Sequence, residues 1–389
     1  MVRNAIIFLS AILFCLYTSS LCSQVAFSDK PFEALVNEAR ESDKILMVDA
    51  YTDWCGWCKV MDRETFSDSL VGDYVNPRMV STKVNMEEGF GIDLAMKYRV
   101  ASYPQYLFFD GEGNLIGRLS GYMEPEPFME KLEDVLNPEH FLPASQKPMD
   151  FGMDYPDFYK TSFLKRKERS YPSAEELVAW LNTRDSLTDE VTWGVITRFV
   201  NNGAYVDSIT AKKDELIALY GEEEVIAKFS SFIFSDVKSA IKAGDRAMLN
   251  DALREADRIL GNAAESYKTR YRMYYYQMTQ DWENYAALGV EQAKNGADPA
   301  ALNQMAWAIY ENCDVESALN KAVNWMKPVV AEGENPSYAY LDTYAALLYK
   351  IRNKEKAMKF AEMAIAKAEE EGEDASATEE LLVKIKSLK

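Results

Sequence analysis

Cysteine, histidine and glycine are scarce in this chain. Of 389 residues, five are cysteine, one is histidine and 18 are glycine. A secreted scaffold stapled by disulfides would show several cysteine pairs, so stability here must come from packing. The lone histidine, His140, and the lack of a second CxxC argue against a structural zinc site. No segment beyond the N-terminal stretch holds the roughly 18 consecutive apolar residues of a membrane helix. Positive charge is short too: 43 Lys and Arg stand against 62 Asp and Glu, a formal net charge of −19. That balance argues against nucleic acid and anionic lipid as partners, and names no partner itself.

What is present begins with an address. Arg3 precedes an apolar run from Ala5 to Tyr17, followed by the small polar stretch Thr18-Ser19-Ser20-Leu21-Cys22-Ser23. This reads as a signal peptide over residues 1–23 with cleavage before Gln24, and hence as export across the inner membrane to the periplasm. Lipidation at Cys22 and an uncleaved anchor stay open as alternatives, although Leu21 is bulky for a lipoprotein signal. Cys15 and Cys22 fall in this leader, leaving Cys55, Cys58 and Cys313. At about 150 residues per domain, the length suggests two or three domains.

The densest chemistry lies in Trp54-Cys55-Gly56-Trp57-Cys58-Lys59, just after the apolar run Ile45-Leu46-Met47-Val48. Two cysteines three apart on a strand-to-helix turn can form and break a disulfide while the fold stays intact. A helix starting at Cys55 would aim its free N–H groups and positive dipole end at that sulfur and favour the thiolate, the form that attacks disulfides. Cys55 is therefore the expected nucleophile and the more exposed sulfur. Cys58, one turn on, is the expected resolving thiol. A static disulfide and half a zinc site are the competing readings. Asp49, on an otherwise apolar strand, would be costly to bury charged. Burial would raise its pKa and suit it to accept a proton from Cys58, unless it reaches solvent at the strand end.

Periodicity places helices over Pro31–Arg40, Cys55–Glu64, Ile92–Tyr98 and Pro127–Leu136, and a short helix through Leu70, Val71 and Tyr74 with Ser67 as its N-cap. Strands are predicted at Ile45–Ala50 and Met79–Val84, with a hairpin of Gln105–Phe109 and Leu115–Leu119 around Asp110-Gly111-Glu112-Gly113-Asn114. The order implies an α/β sheet with helices on both faces. Together with WCGWC, Asp49 six residues before Cys55, Tyr103-Pro104 before the third strand and Gly121 after the last, it resembles the thioredoxin fold over about residues 25–137. Trp57 replaces the proline of typical thioredoxins. The stretch Met61–Asp68 resembles the secreted thiol–disulfide interchange branch.

The resemblance implies a cis-proline at Pro104 that sets a backbone turn against the CxxC and frees the Tyr103 main chain to pair with an extended substrate. It also implies an aromatic rim of Trp54, Trp57 and Tyr103 around the sulfurs beside Gly56; ordinary packing is the competing reading, above all for Trp54, which is expected to be partly buried. Lys59 could hold thiolate charge or lie solvated on its helix.

Residues 138–174, rich in proline and aromatics, read as a connection packed along a surface. From 175 to 389 the chain reads as helical. A shift of 39 residues aligns Leu302 with Leu341, Ala306 with Ala345, Tyr310 with Tyr349, Ala318 with Ala357 and Ala322 with Ala361. Small residues so spaced resemble tetratricopeptide (TPR) repeats, whose period is about 34, and a fainter unit spans Tyr271–Lys294. Cys313 falls in a predicted turn and reads as a small buried hydrophobe.

The expected architecture is an α/β thioredoxin-like domain over 24–137 followed by an all-α TPR-like domain over 175–389. The expected function is thiol–disulfide exchange with protein partners, reductive in direction if either is favoured, and helped by docking on the helical domain. It needs no cofactor beyond the Cys55–Cys58 pair, only a partner protein that resets it. The competing class is a non-catalytic binding scaffold, which would have no need of a resolving cysteine.

Overall fold

The computed structural model describes residues 24–143, 150–203, 205–331 and 335–388. The expected leader, with Cys15 and Cys22, and Pro148 and Met149 of the expected connection lie outside the described residues. The chain divides into two compact units between Lys228 and Phe229.

The first unit is built on four strands, β1 (Ile45–Tyr51), β2 (Met79–Asn85), β3 (Gln105–Phe109) and β4 (Leu115–Ser120), in the order β2-β1-β3-β4. β1 runs parallel to β2 and antiparallel to β3, and β3 is antiparallel to β4. The helices among them are α1 (Phe32–Ser42), α2 (Gly56–Glu64), α3 (Ser69–Val75), α4 (Phe90–Lys97) and α5 (Pro125–Val135). Each predicted element of residues 31–136 is present, shifted by a few residues at its ends. One cap differs: Asp68 caps α3 by accepting from Leu70 N–H and Val71 N–H, whereas the Ser67 hydroxyl donates to the Arg63 carbonyl of the preceding helix.

Successive residues of a strand face opposite sides, so β1 feeds two cores. Leu46, Val48 and Ala50 join Leu107 and Phe109 against α1 and α4. Met47 joins Tyr106 and Phe108 against Met61 of α2, Val71 and Val75 of α3, and Phe128 and Leu132 of α5. Burial on both faces explains the continuous apolar run of β1.

The helices that follow in this unit are α6 (Asp157–Thr161), α7 (Ala174–Leu181), α8 (Glu190–Phe199), α9 (Val206–Thr210) and α10 (Lys213–Tyr220). α11 (Glu222–Ala243) contains the division point. Here the packing departs from the expected boundary at 174. Tyr155, Tyr159, Phe163, Val191 and Val195 are buried in the same core as α1 and α4, and the Tyr159 hydroxyl donates to the Met96 carbonyl at 2.9 Å. The expected connection and the first helices beyond it therefore cover one face of the sheet.

Charge fastens them there. Lys97, 1% exposed, pairs with Glu190 of α8 at 3.0 Å. Arg99 and Arg118 pair with Glu224 of α11 at 2.6 and 3.1 Å, and the Trp193 indole donates to the same carboxylate at 2.7 Å.

The second unit continues along α11 from Phe229 and holds α12 (Arg246–Leu260), α13 (Ala264–Met278), α14 (Trp282–Lys294), α15 (Pro299–Asn312), α16 (Glu316–Val329), α17 (Tyr338–Lys350), α18 (Lys354–Glu371) and α19 (Ser376–Ser387). The six alanines aligned by the 39-residue shift, Ala306, Ala318, Ala322, Ala345, Ala357 and Ala361, are all fully buried. Small side chains at these positions let neighbouring helices approach closely. Trp282 opens α14, and Cys313 is the buried C-cap of α15.

Candidate active site

Cys55 and Cys58 form a disulfide. Asp49 lies within the buried run of β1, Thr52 accepts through its carbonyl from Cys55 N–H at 3.0 Å, and α2 begins at Gly56 with Cys55 as its N-cap. The Cys55 sulfur accepts from Cys58 N–H at 3.0 Å. A sulfur at an N-cap sits in the positive field of the first turn, which favours its ionised form when the disulfide opens. The expected difference in exposure is not seen, since Cys55 is 4% and Cys58 5% exposed.

Asp49 is buried at 1% exposure and shares the sheet face of Met47, which packs against α2. It does not reach solvent at the strand end. Burial raises its pKa to about 6, against the opposing pull of Lys83. The Lys83 ammonium lies 3.2 Å from Asp49 Oδ2 and also pairs with Asp62 of α2. Asp49 Oδ1 has no hydrogen-bond partner among the described residues. A carboxylate with one free oxygen and a raised pKa can take up a proton near neutral pH. Sequence reading missed Lys83 and Asp62. Aligning the starts of the two parallel strands, Ile45 with Met79, would have placed Asp49 opposite Lys83.

The peptide bond between Tyr103 and Pro104 is cis. The Pro104 carbonyl accepts from Gly121 N–H at 2.9 Å, and Gly121 has a φ of +90°, a conformation that a side chain would strain. These two residues tie the turn before β3 to the end of β4. The Tyr103 main chain makes no hydrogen bond among the described residues.

Trp54 and Trp57 are 56% and 60% exposed. The expectation of a partly buried Trp54 is thus corrected. Its ring is held only at one edge, by its indole N–H donating to both carboxylate oxygens of Glu87 at 3.0 Å and by a T-shaped contact with Tyr103. Trp57 stacks on Tyr122. Apart from its chain neighbours and its own helix, nothing lies within 4 Å of where a Cβ on Gly56 would stand. Lys59 is exposed.

Glu87 also pairs with Arg169, from the segment between α6 and α7. Neither residue stood out in the sequence, because 82 positions separate them. Among the described residues, no group of His, Cys, Asp and Glu could hold a metal ion, and no helix is long and apolar enough to cross a membrane. His140 pairs instead with Asp134 at 2.8 Å.

Residues 32–136 match the family described as Thioredoxin-like domain. The thiol:disulfide interchange protein DsbD of Yersinia pestis (strain Pestoides F) is 33% identical over 99 residues, which are 25% of this chain and 17% of that protein. DsbD of Escherichia coli (strain K12) is 33% identical over 115 residues, 29% of this chain and 20% of that protein. The chain therefore spans a fifth or less of these relatives' length. A candidate disulphide-isomerase of Bacteroides thetaiotaomicron, solved in solution, is 36% identical, covering 30% of this chain and 95% of that one with a TM-score of 0.28. Residues 32–136 are a thioredoxin-like domain homologous to the DsbD thiol:disulfide interchange proteins.

Proposed function

We propose that this protein is a thiol–disulfide oxidoreductase that exchanges the Cys55–Cys58 pair with protein thiols and disulfides, with the reductive direction slightly favoured over the oxidative one. The observation that carries this reading is the CxxC disulfide at a helix N-cap, preceded by a strand that holds a buried carboxylate with one free oxygen. The names of the interchange relatives support it.

In the reductive direction the Cys55 thiolate attacks a substrate disulfide and releases one substrate thiolate, which takes up a proton. Cys58 gives its proton to Asp49 and attacks the mixed disulfide. The second substrate thiolate leaves and is protonated, and Cys55–Cys58 closes. Two electrons and two protons pass to the substrate. A partner protein that carries two electrons must then reopen the pair. Trp54, Trp57 and Tyr103 form the rim on which the substrate lies, open Gly56 admits its sulfur, and the free Tyr103 main chain next to Pro104 pairs with its extended backbone.

The same proposal makes the second unit a TPR-like docking module, beyond an exported redox domain. Its groove of about 660 Å³, lined by Arg270, Met273, Gln277, Tyr285, Trp307 and Glu311, offers space for a partner.

The test is equilibration in defined glutathione buffers, with thiols trapped and counted by mass. A reversible two-electron transition between about −120 and −280 mV is expected, and a pair still closed well below about −300 mV would mark it as structural. Cys55→Ser should abolish exchange, and Cys58→Ser should accumulate the mixed disulfide.

A further inference from the structure

One short turn reverses the charge of this acidic chain. Lys165, Arg166, Lys167 and Arg169 put four cations into five positions, in a protein of net charge −19. Two of them fix the turn beside the redox pair. Arg169 pairs with Glu87, the same carboxylate that holds the Trp54 indole, and Lys165 pairs with Glu88. Arg169 Nε also donates to the Leu164 carbonyl at 2.7 Å, closing the turn on itself. Glu87 and Glu88 are thus paired by these cations, while Asp53 accepts from the neutral Asn85 side-chain amide at 3.2 Å and keeps its charge.

Arg166 and Lys167 remain. Both are exposed, and neither has a salt-bridge or hydrogen-bond partner among the described residues. Glu168 lies between Lys167 and Arg169. Tyr171, 62% exposed, continues the surface two residues beyond Arg169.

We propose that the Lys165–Arg169 turn determines substrate specificity, favouring proteins whose reactive cysteine is flanked by acidic residues. This rests on the oxidoreductase reading above. A substrate sulfur over Cys55 brings its flanking residues across Trp54, and Trp54 is tied through Glu87 to this turn. At physiological salt the Debye length is about 8 Å, so acids far from the Trp54 rim are screened and the exposed charges next to that rim weigh most in the encounter. Local complementarity of this kind acts mainly on the association rate and on discrimination against the wrong sign of charge.

The test uses the full chain, reduced with dithiothreitol and freed of it, and follows oxidation of Cys55 and Cys58. Two peptides carry one intramolecular disulfide each and differ only in three Asp or three Lys beside the cysteine. The third substrate is bis(2-hydroxyethyl) disulfide, which is neutral. In each reaction the substrate S–S bond breaks as the Cys55–Cys58 bond forms, and two electrons and two protons move to the substrate.

At low salt the acidic peptide should react about tenfold or more faster than the basic one. The ratio should fall toward one at about 1 M salt, where the Debye length is about 3 Å. Arg166→Glu with Lys167→Glu should invert the ratio, and the Gln pair should bring it near one, with the neutral disulfide unaffected by either. Equal rates for the two peptides, or a preference that survives the double reversal, would overturn the proposal. Failure to reduce even the neutral disulfide would instead overturn the oxidoreductase reading.

Discussion

The two compact units handle charge in opposite ways. Every charged residue that is buried among those described, Asp49, Glu87, Lys97, Arg99 and Lys228, lies in the first unit. In the second, the buried polar residues are Ser235, Thr343 and Thr378, and the interior is otherwise alanine, leucine, tyrosine and other apolar side chains. Burying a charge costs several kcal/mol unless it is paired, so charge is kept inside only where pairing or chemistry offsets that cost. In the first unit it does two jobs. Around Glu224 it fastens helices to the sheet, and around Asp49 and Glu87 it equips the redox site. The second unit has neither task, and close-packed small residues suffice for stacking helices.

The sharpest way to break this contrast is to remove one central partner. Burial alone would raise the pKa of Glu224, but Arg99 and Arg118, with the hydrogen bonds from Arg99 and Trp193, hold it below the usual carboxylate range. Glu224→Gln strips the buried Arg99 and the half-buried Arg118 of their counter-charge. It should destabilise the first unit by about 3–5 kcal/mol in urea unfolding.

Asp49→Asn comes next and tests whether the buried charge serves chemistry at the expense of stability. Asp49 titrates at about 6 in the folded chain, against an ordinary 3.8. Its folded pKa is raised, so its contribution to stability is full below about 3.8 and is lost as pH rises through about 6. That loss is up to about 3 kcal/mol. Asp49→Asn should therefore be the more stable protein at pH 7 and lose this slope. It should also exchange disulfides about 100-fold more slowly. The wild-type rate should fall as pH drops through about 6, and the variant should lack that step. Lys83, Asp62, Tyr106 and Tyr51 are the charged or titratable groups that interact with Asp49, and Lys83 opposes its protonation, so Lys83→Met should move the step to higher pH. Glu224 works with the opposite sign. Its contribution is present above the ordinary 4.5 and is lost as pH falls through its lowered native value.

In the second unit, packing is where a substitution should be felt. A Cβ on Gly289 of α14 would stand 2.5 Å from ring atoms of Trp325 in α16, both within the tight interior. Gly289→Ala should cost about 1–3 kcal/mol by overpacking, although alanine is the better helix former. The smallest effect is expected for Glu283→Gln, which breaks an exposed pair with Lys321. The denaturation midpoint should not move measurably, since exposed ion pairs contribute little.

Much of this molecule was legible before its structure. The apolar run of β1, the hairpin around Asp110–Asn114, and the CxxC on a strand-to-helix turn are local patterns, and local patterns survive in a linear reading. The buried alanines of α15–α18 were legible too, because a repeat compares the chain with itself. Less visible was anything that depends on which distant segments meet. Residues 150–163 looked like a connection because proline interrupts them, yet Tyr155 and Tyr159 complete a core. Trp54 looked half-buried because indole is large and apolar, but only one edge is held.

By itself the sequence determined the two architectures, the redox pair, and the placement of a lone carboxylate on the strand behind it. These follow from residue types at short, regular spacing. Only the tertiary structure decided that the first unit runs to Lys228, that Lys83 faces Asp49, and that Arg169 reaches Glu87 under Trp54. Such pairings join side chains tens of residues apart, and their energies depend on burial and distance, which exist only once the backbone path is set.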